Sequence, residues 1–243
     1  MTQKTFEQHL AEEHNVSPIS SYLKEIVYGA SDGIVTTFAV VAGFAGAQMN
    51  ETTLPIFVVL LFGLANLTAD GASMGLSSFL SLRSEQDYYK HQRNHELSEI
   101  MNESPLEKEE TMDILTKRGY SIKDAEDITR LYAKNPEFWA DFMMNYELEL
   151  ANPTNESPFR NALATTSAFV VFGSIPLFPY IFMRGLPDLF LVSCLFTLTA
   201  FLFLGILRWK VTKQPFIRSV GEIVLIGSVS ASVAYVVGIF FRT

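Results

Sequence analysis

Three stretches of this chain carry no charged side chain over the length a lipid bilayer demands: residues 161–183, 189–207 and 223–241. Hydrocarbon offers no water to backbone N–H and C=O groups, so segments of this kind are restricted to helices that bond their own backbone. Two further stretches are interrupted once each, 26–50 by Asp32 and 52–82 by Asp70. The expectation is an all-α membrane protein with five transmembrane helices. Its composition agrees, since 49% of the 243 residues are hydrophobic and twenty are Phe, unusually apolar for a soluble enzyme of this length.

The charged residues are distributed unevenly. Residues 84–156 hold 17 of the 26 acidic side chains but only 8 of the 18 basic ones, a local net charge of −9 against +1 for the remainder. An acidic helical insert, 84–160, thus separates residues 1–83 (an N-terminal segment and helices 1 and 2) from 161–243 (helices 3 to 5). Basic loop residues orient the whole. Arg208, Lys210, Lys213 and Arg218 cluster between the fourth and fifth spans, so that loop is expected in the cytoplasm. Two crossings earlier the insert falls on the same side. The loops near 44–53 and 184–188 contain only Arg184 as a basic residue, as expected for the far side. Residues 1–25 carry Lys4, Glu7, Glu12 and Glu13 and no apolar run, so insertion is expected to use the internal spans and not a cleaved signal.

The second span is longer than a membrane. After Pro55 no helix terminator occurs until Ser104–Pro105, and 52–82 alone would cover about 46 Å as a helix. It is expected to continue past the membrane as a stalk. Beyond it, Ser104-Pro-Leu-Glu107 has the form of a capping box, Gly119 reads as a helix end, and Ser121 and Asn135–Pro136 read as later starts. Three or four amphipathic helices follow. In the third span, Pro176 and Pro179 are expected to kink the helix and free backbone carbonyls.

A lone carboxylate in a membrane helix costs at least about 2.5 kcal/mol, so Asp32 and Asp70 are candidates for a polar pathway. Glu25 lies two turns before Asp32 on the same helical face. Asn66, Asp70 and Met74 are spaced by four, which puts an amide, a carboxylate and a thioether on one stripe. Oxygen combined with thioether sulfur suits a borderline first-row cation better than Ca²⁺ or Mg²⁺. Gly29-Ala-Ser-Asp-Gly33 and Gly71-Ala-Ser-Met-Gly75 are small-xxx-small patterns, expected to let the first two spans approach closely. In the insert, Glu96 with Glu99, and Glu110 with Asp113, recur at i, i+3, while Met143 and Glu147 are an i, i+4 pair. Like charges at that spacing repel, so their repetition suggests a bound cation, although a solvated acidic face is the commoner cause of such runs. His91 and His95 also stand four apart without a third strong ligand.

Several classes are excluded. The single Cys194 forbids an intramolecular disulfide framework or a Cys-rich metal site. No Glu is followed by His three residues later, so a ferritin-like oxidase centre is absent and an enzyme is not expected.

Taken together, Tyr28-Gly-Ala-Ser-Asp-Gly-Ile-Val-Thr-Thr-Phe-Ala-Val-Val-Ala-Gly43, Gly71-Ala-Ser-Met-Gly75, Asp141-Phe-Met-Met-Asn-Tyr-Glu-Leu-Glu149 and Ser174-Ile-Pro-Leu-Phe-Pro-Tyr180 resemble the vacuolar iron transporter family over about residues 20–242. The resemblance implies a homodimer that exchanges Fe²⁺, and often Mn²⁺, for protons and removes metal from the cytosol. It implies no prosthetic group and no nucleic-acid partner. The membrane would be a vacuolar one in a eukaryote or the cell (inner) membrane in a prokaryote. Glu25 would sit at the cytoplasmic mouth, with Asp32 and Met74 along the path. Glu96, Glu99, Glu110, Asp113, Met143 and Glu147 would collect metal in the insert. Plant members carry Glu where this chain has Asn66, and Asp70 is expected to supply the missing carboxylate. A passive divalent-cation channel and a membrane metal sensor are the alternatives.

Overall fold

A computed structural model describes residues 18–47 and 56–240. The charged N-terminal residues and most of the 44–53 loop lie outside them. The described residues form helices α1 (Pro18–Ser21), α2 (Leu23–Ala47), α3 (Ile56–Asn102), α4 (Ser104–Lys117), α5 (Ile122–Tyr132), α6 (Pro136–Tyr146), α7 (Pro158–Gly173), α8 (Phe178–Phe182), α9 (Leu189–Thr212) and α10 (Phe216–Phe240). A short 3₁₀ turn, Ile175–Leu177, joins α7 to α8. No strand occurs among the described residues. Five helical spans are long and apolar enough to cross a membrane: Leu23–Ala47, Ile56–Asn102, Pro158–Phe182, Leu189–Thr212 and Phe216–Phe240. Large apolar side chains such as Phe57, Val171, Leu191, Phe203, Ile217 and Phe240 stay exposed, far more than water tolerates on a monomer and normal against lipid.

The chain divides into two compact units, residues 1–78 with 159–243, and residues 79–158. Helix α3 belongs to both and runs unbroken for 47 residues, ending where Ser104–Pro105 predicts.

In the first unit, small residues let backbones touch, which is how helices associate where lipid is as apolar as leucine. A Cβ on Gly29 would lie 2.4 Å from the Thr165 carbonyl oxygen, and one on Gly33 2.4 Å from that of Phe169. Gly71 and Gly75 face Val170 and Thr166. The two small-xxx-small patterns thus serve a different partner from the one expected. Each spans the contact with α7, which meets Gly29 and Gly33 with bare backbone and Gly71 and Gly75 with the side chains of Val170, Phe169 and Thr166. Gly33→Ala is therefore expected to destabilise the protein by about 1–3 kcal/mol, since backbone must move to admit the methyl. The thermal midpoint in detergent should fall. Gly221→Ala, whose Cβ would meet nothing within 4 Å, is the matched control and should leave it unchanged.

The third span is broken as Pro176 and Pro179 predict. At the break the Pro176 carbonyl accepts a hydrogen bond from the buried Ser193 hydroxyl of α9 at 2.7 Å. Helices α9 and α10 overrun their uncharged windows. Of the charges this adds, Glu222 accepts from Arg208 at 2.8 Å and from Arg218 at 3.1 Å.

The second unit has its own core of Ile100, Leu115, Ala125, Trp139, Ala140, Phe142 and Met143. Three helices, α4 to α6, pack there on the end of α3. Arg93 ties α3 to α6, at 2.6 Å from Asp141 and 2.8 Å from Glu137. Ser121 and Asn135 cap α5 and α6, accepting from Asp124 N–H and Phe138 N–H, and Gly119 takes a left-handed φ of +100° after α4. The capping box does not form. The residue at the N-cap of α4 is Glu103, without a side-chain cap bond, and Ser104 is already helical.

Candidate metal centre and intramembrane carboxylates

Helix α4 buries Glu107, Thr111 and Leu115, one residue per turn along a single stripe. Leucine and threonine are ordinary there. A glutamate is not, because burying a carboxylate costs several kcal/mol unless it is protonated, paired or bound to a metal. Glu107 is 4% exposed, and facing it Glu96 from α3 is 3% exposed. Glu147, the residue that terminates α6, completes the group from the exposed side. One carboxylate oxygen from each of the three lies within 4.8 Å of the others. At that separation two like charges repel by at least about 3 kcal/mol for an effective dielectric near 20.

Protonation is the remedy the protein itself offers, with Glu96 and Glu107 hydrogen-bonded to each other. Glu96 Oε1 and Glu107 Oε2 are buried without a hydrogen-bond partner. Arg93, one turn from Glu96, is occupied by Asp141 and Glu137. The protonation equilibria record the strain. Burial, reinforced by the charges of Glu147 and Glu107, pushes Glu96 well above the usual carboxylate range, and burial likewise raises Glu107. Glu147 is pushed up to about 7, by burial first and then by the charges of Glu110, Glu107 and Glu99. Three converging carboxylates with spare lone pairs could hold a divalent cation, which would displace their protons on binding.

The expected ligands distribute around this centre. Glu96 and Glu147 are in it. Glu99 sits beside it and pairs with His95 at 2.9 Å, and His91 is exposed. Glu110 and Asp113 line an open pocket with Glu147, Tyr146, Lys117 and Arg118; Asp113 itself is exposed and ion-paired to Lys117. Met143 is fully buried one turn before Glu147, whose N–H donates to the Met143 carbonyl at 2.9 Å. Glu107 was missed because its place in Ser104-Pro-Leu-Glu107 suggested a backbone cap. The signal that could have found it is its spacing, three before Glu110 and eight before Leu115, which puts it on the stripe that faces the core.

In the first unit Glu25, Asp32, Asn66, Asp70 and Met74 are all half-buried. Asn161 donates to Glu25 Oε1 at 3.2 Å, which holds that carboxylate against α7. Residues 63, 67, 71 and 75 of α3 are buried, and the stripe of Asn66, Asp70 and Met74 runs directly beside them. Asn66 lines an open groove with Ala39, Val40, Gly43, Ala65 and Ala69, and its Nδ2 is buried without a hydrogen-bond partner.

The VIT family model matches residues 23–239. Vacuolar iron transporter 1 of Arabidopsis thaliana is 31% identical over 232 residues, covering 96% of this chain and 90% of the relative. Vacuolar iron transporter 2 of Oryza sativa subsp. japonica is 33% identical over 214 residues, 88% of this chain and 85% of the relative. The vacuolar iron transporter of Plasmodium berghei (strain Anka) is 31% identical, covering 96% of this chain and 86% of the relative. With five candidate spans, an acidic unit following the second and a match that runs from α2 to the end of α10, the chain belongs to the VIT family.

Proposed function

We propose that this protein carries Fe²⁺, and also Mn²⁺, out of the cytosol in exchange for protons. The observation that carries the reading is the pair Asp32 and Asp70, each the single charged residue of an otherwise uncharged stretch, 26–50 and 52–82. A dehydrated cation needs charged oxygen at that depth, and the same oxygens can take protons once the metal has left. The relatives' names, vacuolar iron transporter, support iron as the cargo.

On this reading the insert is cytoplasmic, and the Glu96–Glu107–Glu147 centre concentrates metal before it enters the membrane, with Glu99, Glu110, Asp113 and Met143 assisting. Glu25 receives the ion at the mouth, and Asp32, Asp70 and Met74 replace its water. Asp70 provides the carboxylate that Asn66 lacks. Two subunits act together, since the groove of Ala39, Gly43, Ala65 and Ala69 has the small-residue lining that helix–helix contacts in membranes use.

Proteoliposomes loaded with a pH-sensitive dye test the proposal. Metal entry accompanied by proton exit, with Fe²⁺ and Mn²⁺ both effective, is the expected result. Entry without a proton signal would indicate a channel. No entry under an imposed proton gradient, from folded protein, would leave only a sensor. Asp70→Asn is expected to slow uptake at limiting metal; normal uptake by this variant would remove Asp70 from the path.

A further inference from the structure

Inside the apolar core of the second unit lies a chain of polar contacts that packing alone does not require. The Trp139 indole N–H donates to Thr111 Oγ1 at 2.7 Å. The Thr111 hydroxyl is within donating distance of two acceptors, the Glu107 carbonyl oxygen at 2.8 Å and the Met143 thioether sulfur at 3.3 Å. All three side chains are essentially inaccessible: Thr111 and Met143 are 0% exposed and Trp139 is 1%. A hydroxyl has one hydrogen to give, so Thr111 serves either the backbone of Glu107 or the sulfur of Met143, while the indole fixes its lone pair from the other side.

Met is the most adaptable of core side chains, with three rotatable bonds and a weak acceptor sulfur. Nothing in an apolar pocket by itself selects where that sulfur points. Here one donor does, and the same residue grips the turn that carries Glu107. Trp139, Met143 and Glu147 stand at successive turns of α6, and Glu107 and Thr111 at successive turns of α4. The hydroxyl is therefore placed between a thioether and the backbone of a carboxylate that belongs to the three-glutamate centre.

We infer that Thr111, held by Trp139, is a positioning residue that aims the Met143 sulfur and so sets the preference of the centre for softer divalent cations. The inference rests on the reading of Met143 as a metal ligand. With the site empty, the hydroxyl holds the sulfur. With metal present, the sulfur lone pair turns to the cation and the hydroxyl hydrogen passes to the Glu107 carbonyl. No buried donor is stranded in either state, which is why threonine suits the position and valine of the same shape does not.

The test is metal binding to the full-length protein in detergent by calorimetry, with Cd²⁺ as the soft probe and Mn²⁺ as the hard one, alongside the thermal midpoint. Thr111→Val is expected to lower Cd²⁺ affinity about tenfold, the usual scale for an outer-shell partner, and Mn²⁺ affinity much less. Thr111→Ser should restore the wild-type ratio. In a Met143→Leu background, Thr111→Val should not change the ratio further. A parallel fall for both ions, or an unchanged ratio, would overturn the inference and leave Thr111 a core residue. If Met143→Leu itself leaves the Cd²⁺/Mn²⁺ ratio untouched, Met143 is not a ligand and the inference falls with that reading. If Met143→Leu shifts the ratio while Thr111→Val does not, only the positioning role is lost.

Discussion

Asp32→Asn is expected to reduce metal uptake into proteoliposomes by at least about 100-fold, a loss of about 3 kcal/mol or more of stabilisation for the ion in the membrane. The substitution keeps shape and hydrogen-bonding capacity and removes only the charge. Asp32 lies on α2 between Gly29 and Gly33, both in backbone contact with α7, so its carboxylate is held on a packed helix whose position cannot easily adjust. Its backbone carbonyl already accepts from the Thr36 hydroxyl at 2.9 Å, and that bond is unaffected by the change. The variant should therefore fold and bind metal at the insert with wild-type affinity while failing to transport. Uptake by Asp32→Asn within a few-fold of wild type would place the path elsewhere.

The second large effect is on pH. The carboxyl groups of Glu96, Glu107 and Glu147 all have protonation equilibria raised above the unfolded carboxylate value, Glu147 to about 7. A group raised on folding adds stability in full below its unfolded value and loses that contribution as pH climbs through the folded one. Metal-free protein is accordingly expected to be most stable near pH 5 and progressively less so up to about pH 8. Bound metal acts in the opposite sense. It competes with the same protons, so its affinity should rise over this range by up to about tenfold per pH unit for each proton displaced. Thermal melts with and without Mn²⁺ at pH 5 and pH 8 read both trends, and the stabilisation by metal should be far larger at the higher pH. Glu96→Gln removes one buried charge. It should raise the metal-free midpoint at pH 8 and abolish most of the stabilisation by Mn²⁺. A metal effect equal at the two pH values would show that these three residues do not hold the ion.

The membrane architecture was legible because it depends on one-dimensional quantities. The length of an uncharged run, the position of a proline and the spacing of two carboxylates on a helix are properties of the chain, and an uncharged run of about 20 residues matches the length of a membrane-crossing helix and not of a strand. For the same reason the uninterrupted α3, the break at Pro176 and Pro179, and the caps at Ser121 and Asn135 could be stated in advance. Which side chains converge was a different matter. In sequence Asp113 reads as a ligand and Glu107 as a helix cap, six residues apart in one acidic helix. Only the packing of α4 on α3 and α6 turns Glu107 inward to Glu96 and Glu147 and leaves Asp113 at the surface with Lys117. The partner of the glycine patterns was likewise undetermined, because a helix face that admits close approach does not specify what approaches. The Trp139–Thr111–Met143 chain had no signature at all, its residues being common core types until their positions in space align one donor with one sulfur. The sequence by itself determined that this protein crosses the membrane on helices carrying Asp32 and Asp70 and bears an acidic helical insert. Only the tertiary structure decided which carboxylates share a site, because helical periodicity assigns a residue to a face and packing alone assigns that face a neighbour.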